Sequence, residues 1–164
     1  MRMHGASRHG VRGFTLIELL MTVALIGILA SVAVPMAEIS TQRDRERELR
    51  ETLRTVRRAI DAYKQAVDEG RVERTTEDSG YPPSLEVLVE GVKDQLDPEG
   101  SRLRFLRQMP RDPMQTDMSV PASRTWGKRS YASSHERPAA GRDVFDVHSL
   151  SAGTGLNGVP YKQW

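Results

Sequence analysis

Two short patterns in the last third of this 164-residue chain contain the residue types that catalysis or cofactor binding needs. His148 follows Asp146 by two residues on a predicted strand, and an Asp–His pair beside a serine is the arrangement of a hydrolase triad. The chain has no cysteine nucleophile, and neither a nucleophile elbow nor an oxyanion motif accompanies the pair. We therefore interpret Asp146 and His148 as a surface or structural pair, and the sequence predicts that the protein is not an enzyme.

The second pattern is Gly153-x-Gly155-x-x-Gly158, which has the glycine spacing of a dinucleotide-binding fingerprint. That fingerprint needs a helix that opens within it and an acidic residue about 20 positions later. Six residues follow Gly158 in this sequence, and one of them is Pro160. We therefore expect a glycine-rich turn and no nucleotide cofactor.

The distribution of charge argues against nucleic-acid binding. The net charge of +2 arises from three arginines within residues 1–13, where there is no acidic residue. Glu18 is the single charged residue between positions 14 and 36, and the remaining 21 basic and 21 acidic residues balance over residues 37–164. No basic domain is therefore available to bind phosphates.

Residues 14–36 form the one long apolar run, with one charge in 23 residues. As a helix they would extend about 34 Å, which is enough to cross a hydrocarbon core of roughly 30 Å. The alternative is a cleavable secretory signal that ends near Ser31-Val32-Ala33, but the run is longer than the ~7–15 residues of a signal core. We therefore predict a transmembrane helix over residues 14–36.

Glu18 is the residue of that segment whose chemistry points to function. A lone carboxylate in a membrane segment costs a few kcal/mol on insertion scales and needs a partner. No lysine or arginine lies between Phe14 and Pro35, so the helix cannot supply one. An amine could do so if the chain were cut before Phe14 and the new N-terminus lay beside Glu18 of a neighbouring subunit.

The residues Gly13-Phe14-Thr15-Leu16-Ile17-Glu18 resemble the class III signal sequence of type IV pilins and type II secretion pseudopilins. The resemblance implies that a prepilin peptidase cleaves between Gly13 and Phe14 and that Phe14 becomes N-methylated. It also implies that Glu18 and Pro35 act in assembly. The protein would lie in the inner membrane with a single span, a cytoplasmic leader and a periplasmic head, although the arginines that follow the apolar run favour the opposite orientation.

Beyond Pro35 the spacing of apolar residues predicts that the helix continues. These residues recur at steps of three and four along one face, with two alanines beside them. They are Leu49, Leu53, Val56, Ala59, Ile60, Tyr63, Ala66 and Val67. We expect this stripe to pack against the protein's own sheet in preference to a coiled-coil seam, and we expect the helix to end at Glu69-Gly70.

The segment between membrane and stripe, Arg43–Glu48, alternates in charge and has no apolar face. Helical spacing predicts the ion pairs Asp44–Arg47, Glu46–Arg50 and Arg47–Glu51. Two interpretations stay open, namely a solvated helical neck and a contact zone between staggered subunits of a filament.

The chain is thus predicted to consist of a cleaved leader over residues 1–13, the transmembrane helix over 14–36, its periplasmic continuation over 37–70 and a globular head over 71–164. In the head, Ser84 is the expected N-cap of a short helix that ends at Gly91. The other predicted features are strands over Trp126–Ala132 and Asp143–Ser149, a tight turn at Asn157-Gly158 and aromatic anchors at Tyr161 and Trp164.

The order of motifs in the head resembles the G-type pseudopilins of type II secretion: Tyr81-Pro82, a short helix, Pro110-Arg111-Asp112-Pro113, and then strand segments. The resemblance implies an α+β, pilin-like fold in which the long N-terminal α-helix packs on a small head with a three-stranded antiparallel sheet. Acidic residues of the C-terminal loop commonly bind calcium in that family, whereas this chain has no acidic residue after Asp146. Calcium prefers about six to eight oxygen ligands, carboxylates among them. We therefore predict no cofactor and no metal, with calcium at this loop as the alternative.

The two resemblances imply a structural subunit of the type II secretion pseudopilus, which polymerises in the inner membrane and drives export of folded proteins through an outer-membrane secretin. Its partners would be copies of itself, the prepilin peptidase, other pseudopilins, the inner-membrane secretion platform and membrane lipid, with no nucleic acid. The alternative is a type IV pilin for adhesion, motility or DNA uptake. Many such pilins close a C-terminal loop with a disulfide, which a chain without cysteine cannot form. A membrane-anchored periplasmic enzyme is the alternative from a different class.

Overall fold

The computed structural model describes residues 14–74 and 78–164 and divides into two compact units, of which one ends at Thr41 and the other comprises Gln42–Trp164. The architecture is α+β, as expected. In chain order the elements are α1 (Leu16–Asp68), α2 (Glu86–Glu90), β1 (Val92–Lys93), β2 (Arg102–Leu103), a 3₁₀ turn (Ala122–Arg124), β3 (Trp126–Arg129), β4 (Asp146–Ser149) and a second 3₁₀ turn (Tyr161–Gln163). The predicted leader over residues 1–13 lies outside the described residues.

The long N-terminal helix α1 is 53 residues long. Within residues 14–74 and 78–164, no helical stretch combines the length and the apolar character that crossing a bilayer requires. The membrane span over residues 14–36 stays a prediction. The helix continues through position 35, and the role of Pro35 in assembly stays a prediction as well.

The apolar stripe of α1 forms the centre of the second unit, as its spacing predicts. All eight of its residues are buried, and they are joined in one core by side chains from every later part of the chain. The fully buried partners outside α1 are Val72, Leu85, Leu88, Trp126, Val144, Val147 and Tyr161. The stripe therefore packs within its own head, and the coiled-coil alternative is not needed to explain it.

The C-terminal end of α1 confirms the predicted stop. Gly70 has a φ of 75°, a left-handed conformation that residues with a Cβ rarely adopt. The amide of Arg71 donates to the carbonyl of Ala66 at 2.9 Å, and the amide of Gly70 donates to that of Val67 at 3.0 Å. These are the two bonds of a Schellman motif, which satisfies carbonyls that the last helical turn leaves unpaired.

The short helix α2 ends at Gly91 as predicted, but its predicted N-cap is wrong. The N-cap residue is Leu85, and no side chain caps the helix. The hydroxyls of Ser123 and Ser84 instead bond to the carboxylate of Glu86, and the first of these bonds is the main reason that the pKa of Glu86 lies below its ordinary value.

The three-stranded sheet is not confirmed, because the described residues form two separate two-stranded antiparallel sheets, β1–β2 and β3–β4. The segment after β4 could have supplied a third strand, but its backbone groups bond elsewhere. The amide of Gly158 donates to Gly155 at 2.8 Å, and the amide of Gly155 donates to Val159 at 2.9 Å. The predicted tight turn at Asn157-Gly158 is thus present, and Pro160, which has no N–H, makes a single isolated bridge with Thr154.

Both predicted strands of the second sheet exist, but each is shorter than expected, at four residues. In their register Gly127 lies opposite His148. A Cβ placed on Gly127 would come within 2.2 Å of the His148 ring, so the imidazole covers the space that any other residue would need. The pairing of this glycine with this histidine is a packing constraint.

We expect Gly127→Ala to lower the free energy of unfolding by about 1–3 kcal/mol, because overpacking forces side-chain or backbone shifts of that cost. The double variant Gly127→Ala/His148→Ala should recover part of this loss, because the obstructing ring is gone. Thermal unfolding of the single variants and the double variant measures the coupling. Strictly additive losses would contradict the contact.

Candidate assembly site

The start of α1 carries the residues that the sequence singles out for assembly. Gly13 lies outside the described residues, and of Pro35 only the backbone is described, within α1. Phe14 is 83% exposed and Glu18 is exposed in the first turn of the helix. The structure thus places Phe14 two residues before the helix and Glu18 in its first turn, and the described residues show no contact between these two side chains.

Thr15 is the N-terminal cap of α1. Its Oγ1 accepts a hydrogen bond from the backbone N–H of Glu18 at 3.3 Å. A threonine followed three positions later by a glutamate is the sequence of a capping box, in which the carboxylate also favours the positive end of the helix dipole. The bond uses the backbone N–H of Glu18, and the first-turn position of its carboxylate suits the helix dipole. Sequence reasoning missed this cap although the T-x-x-E spacing signals it.

The first turns of α1 expose every large apolar side chain that they contain. These residues face all sides of the helix, and each is more than half exposed. They are Phe14, Leu16, Ile17, Leu19, Leu20, Met21, Val23, Leu25, Ile26, Ile28 and Leu29. A helix that is apolar all round is normally buried, and an exposed apolar patch of this extent marks a surface that binds protein or membrane.

The polar side chains of the same turns are satisfied within the helix. The hydroxyl of Thr22 donates to the carbonyl of Leu19 at 2.8 Å, and that of Ser31 donates to the carbonyl of Ile28 at 2.7 Å. Neither side chain therefore needs water in an apolar environment. The Glu18 carboxylate is then the one charged group of this helical segment.

The charged segment after the apolar turns departs from its prediction at two points, and one of them is the predicted Arg47–Glu51 pair, which is absent from the ion pairs of the described residues. The Asp44–Arg47 pair forms at 3.0 Å, and the Glu46–Arg50 pair has a longer distance of 3.8 Å. Glu46, however, is 3% exposed, so the interpretation of a solvated neck is wrong at this position. The available signal was its place three residues before Leu49, on the same helical face as the apolar stripe.

The carboxylate of Glu46 is surrounded by hydrogen-bond donors from distant parts of the chain. Its Oε1 accepts from the backbone N–H of Leu156 at 2.8 Å, from the hydroxyl of Tyr161 at 3.0 Å and from Nε2 of Gln42 at 3.1 Å. A buried charge is tolerated when its lone pairs are filled in this way. The bonds join α1 to the C-terminal segment.

Two arginines of α1 hold the same segment. Arg57 donates to Oδ1 of Asp146 at 2.7 Å and to the main-chain oxygen of Trp164 at 2.7 Å. The guanidinium of Arg50 lies 4.2 Å from the centre of the Trp164 ring, a cation–π contact. Tyr161 and Trp164 pack edge to face at 5.2 Å, which confirms both as aromatic anchors.

The geometry around Asp146 and His148 does not suit a hydrolase triad. Asp146 forms ion pairs with Arg57 at 2.7 Å and with Arg129 at 3.2 Å. Burial is the main cause that lowers the pKa of His148, and its ring covers Gly127. The nearby Ser149 donates its hydroxyl to Asp112 at 2.5 Å, so it is not directed at the histidine.

Asp112 is a second buried carboxylate that the sequence does not reveal. It is 1% exposed and lies in the turn between Pro110 and Pro113. Its carboxylate accepts from Ser149 and from the amide of Met114, and its own N–H donates to the hydroxyl of Thr125 at 3.1 Å. It therefore ties this turn to β4 and to the residue before β3.

Comparisons with known proteins agree with this arrangement. A family model described as the prokaryotic N-terminal methylation motif matches residues 8–34. The chain is similar to the type II secretion system core protein G of Pectobacterium carotovorum subsp. carotovorum, with 29% identity over 121 residues that cover 71% of this chain and 70% of that protein. No solved structure matches the chain. The two matches agree with both resemblances drawn from the sequence, to the N-terminal methylation motif and to the G-type pseudopilins of type II secretion.

Proposed function

We propose that this pseudopilin is processed at the inner membrane, spans it once through residues 14–36 and polymerises into a short periplasmic fibre. Growth of the fibre drives folded proteins through an outer-membrane secretin. The leader is cytoplasmic, the head is periplasmic, and the partners are copies of the chain, other pseudopilins, the prepilin peptidase and the secretion platform. The role is structural, without catalysis.

The observation that carries the proposal is a lone carboxylate on a helix with apolar side chains exposed all round. The exposed leucines, isoleucines and Phe14 need a lipid or protein environment. The internal hydrogen bonds of Thr22 and Ser31 suit that environment. Glu18 does not, unless a positive group neutralises it there.

Cleavage between Gly13 and Phe14 supplies such a group. The new amine of Phe14 is positively charged and lies at the beginning of the same apolar segment as Glu18. In a stack of subunits the amine of one chain approaches the carboxylate of the next. The pair then forms only on assembly, so it favours the fibre over the isolated subunit.

The head supports a structural role as well. The carboxylate of Asp146 is held by two arginines and the hydroxyl of Ser149 by a buried aspartate, so both groups serve packing. The alternative of a type IV pilin has no observation in its favour comparable to the match with core protein G.

The first test of the proposal is the N-terminus of the mature protein. We expect mass spectrometry of protein extracted from membranes to find a chain that begins at N-methylated Phe14. Gly13→Val should abolish cleavage, because the residue before the junction is changed while residues 14–164 stay the same. A mature chain that begins after Ala33 would identify a plain signal peptide and contradict the proposal.

The second test separates the two roles of Glu18. Glu18→Gln keeps a residue that a capping box accepts but removes the charge, whereas Glu18→Asp keeps the charge on a shorter side chain. Leaving one member of a buried ion pair without its partner costs about 3–5 kcal/mol, which is roughly a hundredfold or more in the subunit-addition equilibrium. We therefore expect Glu18→Gln and Glu18→Ala to stop fibre formation and secretion while the amount of mature protein stays near normal.

Glu18→Asp should be intermediate, and Glu136→Ala, which removes an exposed acid of a head loop, should secrete normally. Fibre yield after shearing and the secreted fraction of an exported protein are the measurements. Normal assembly by Glu18→Gln would show that assembly does not need the charge of this residue, and the ion-pair mechanism would be wrong.

A further inference from the structure

The C-terminal segment, residues 150–164, is fastened to α1 by side chains of α1 itself. The carboxylate of Glu46 reaches Leu156 and Tyr161, which are 110 and 115 positions away in the sequence. Gln42 adds a bond from Nε2 to the hydroxyl oxygen of Tyr161 at 3.1 Å and another to the carbonyl of Thr154 at 3.4 Å. One buried anion thus accepts bonds from two points of this segment, in addition to the contacts that Arg50 and Arg57 make with Trp164.

The donors around Glu46 are directed at a carboxylate and not at a cation. Oε1 is occupied by three N–H or O–H groups, and Oε2 lies 3.8 Å from the guanidinium of Arg50. A cation bound to this carboxylate would meet the positive ends of those groups. Burial raises the pKa of Tyr161, and the hydrogen bond and charge of Glu46 act in the same direction, so its hydroxyl remains a donor at neutral pH.

Several side-chain oxygens of the segment, and that of Ser149 before it, already have hydrogen-bond partners. The hydroxyl of Ser149 donates to Asp112, that of Ser151 accepts from the amide of Gly153 at 3.3 Å, and Oδ1 of Asn157 accepts from the amide of Val159 at 3.0 Å. Over residues 14–74 and 78–164, no three His, Cys, Asp or Glu side chains are grouped to hold a metal ion. Calcium requires about six to eight oxygens with carboxylates among them, so the residues present do not fit the ion that the family implies.

We propose that the buried Glu46 carboxylate closes the C-terminal segment onto α1 in place of a divalent cation, so that the head folds independently of calcium. The Glu46 carboxylate accepts hydrogen bonds from N–H and O–H groups of the segment. A calcium ion would instead be bound by carboxylates of the segment itself. This closure concerns the fold of the head and stands whether or not Glu18 acts as proposed.

The experiment uses the full chain purified in mild detergent, with thermal unfolding measured in millimolar calcium and in excess chelator. We expect the same Tm in both conditions. Glu46→Gln introduces an NH₂ group among donors and should lower Tm by several degrees in both conditions. Glu48→Gln, which alters an exposed acid two residues along the same helix, is the matched control and should leave Tm unchanged.

Hydrogen–deuterium exchange then locates the effect. In Glu46→Gln the peptide that covers residues 150–164 should lose protection, while the peptides of β3 and β4 keep most of theirs. Tyr161→Phe removes one donor without changing a charge and should give a smaller change in the same peptide. It also keeps the test decisive if Glu46→Gln fails to fold.

Two results would overturn the proposal. One is a fall of several degrees in the Tm of the unaltered chain on chelation, since a bound ion would then be needed. The other is unchanged protection of residues 150–164 in both Glu46→Gln and Tyr161→Phe, since the segment would then be held by something else. Neither result bears on fibre assembly through Glu18, so the two proposals fail separately.

Discussion

The head depends on the burial of one apolar face of α1. Its two sheets have two strands each, and a two-stranded sheet is at best marginally stable alone. Leu49, Leu53, Val56 and Ile60 provide the surface against which α2, both sheets and the aromatic anchors pack. If that face were removed, the remaining elements would have no common core.

Two charged residues of α1 add polar contacts to the apolar packing of the stripe. Glu46 and Arg57 lie at positions that bring them to the same side as the stripe, and both end on the last residues of the chain. The burial of Glu46 is tolerable because hydrogen-bond donors fill its lone pairs, and the partly exposed Arg57 is paired with Asp146 and with main-chain oxygens. The helix thus packs against the head through its apolar stripe, and charge-assisted hydrogen bonds join it to the C-terminal segment.

Sequence patterns predicted the features that arise from local periodicity. The steps between Leu49 and Val67 follow from helical geometry, and Gly70 marks its end because a left-handed residue is needed there. The family resemblance predicted the α+β class, and the T-x-x-E spacing is itself a signal of the cap of α1. These features need no knowledge of which residues lie across the fold.

Other features depend on distant partners and could not be predicted in the same way. The charged neighbours of Glu46 in the sequence indicated a solvated residue, whereas two of its three donors, Leu156 and Tyr161, lie more than 100 residues away. Asp112 lies in a turn whose partners Thr125 and Ser149 come from two later segments. The third strand failed because the segment after Ser149 bonds to itself and to α1, which no alternation of side chains reveals. Among the assembly residues, Gly13 could be placed only by resemblance.

The position of Glu46 three residues before Leu49 also limits where residues can be inserted into the chain or deleted from it. Each residue added to a helix rotates the preceding turns by about 100° relative to the later ones. A single insertion or deletion between positions 46 and 49 would therefore turn the carboxylate away from Leu156 and Tyr161 while the stripe stayed in place. Natural or engineered changes of chain length are far easier to accommodate in the loop between β3 and β4, which bonds chiefly to itself.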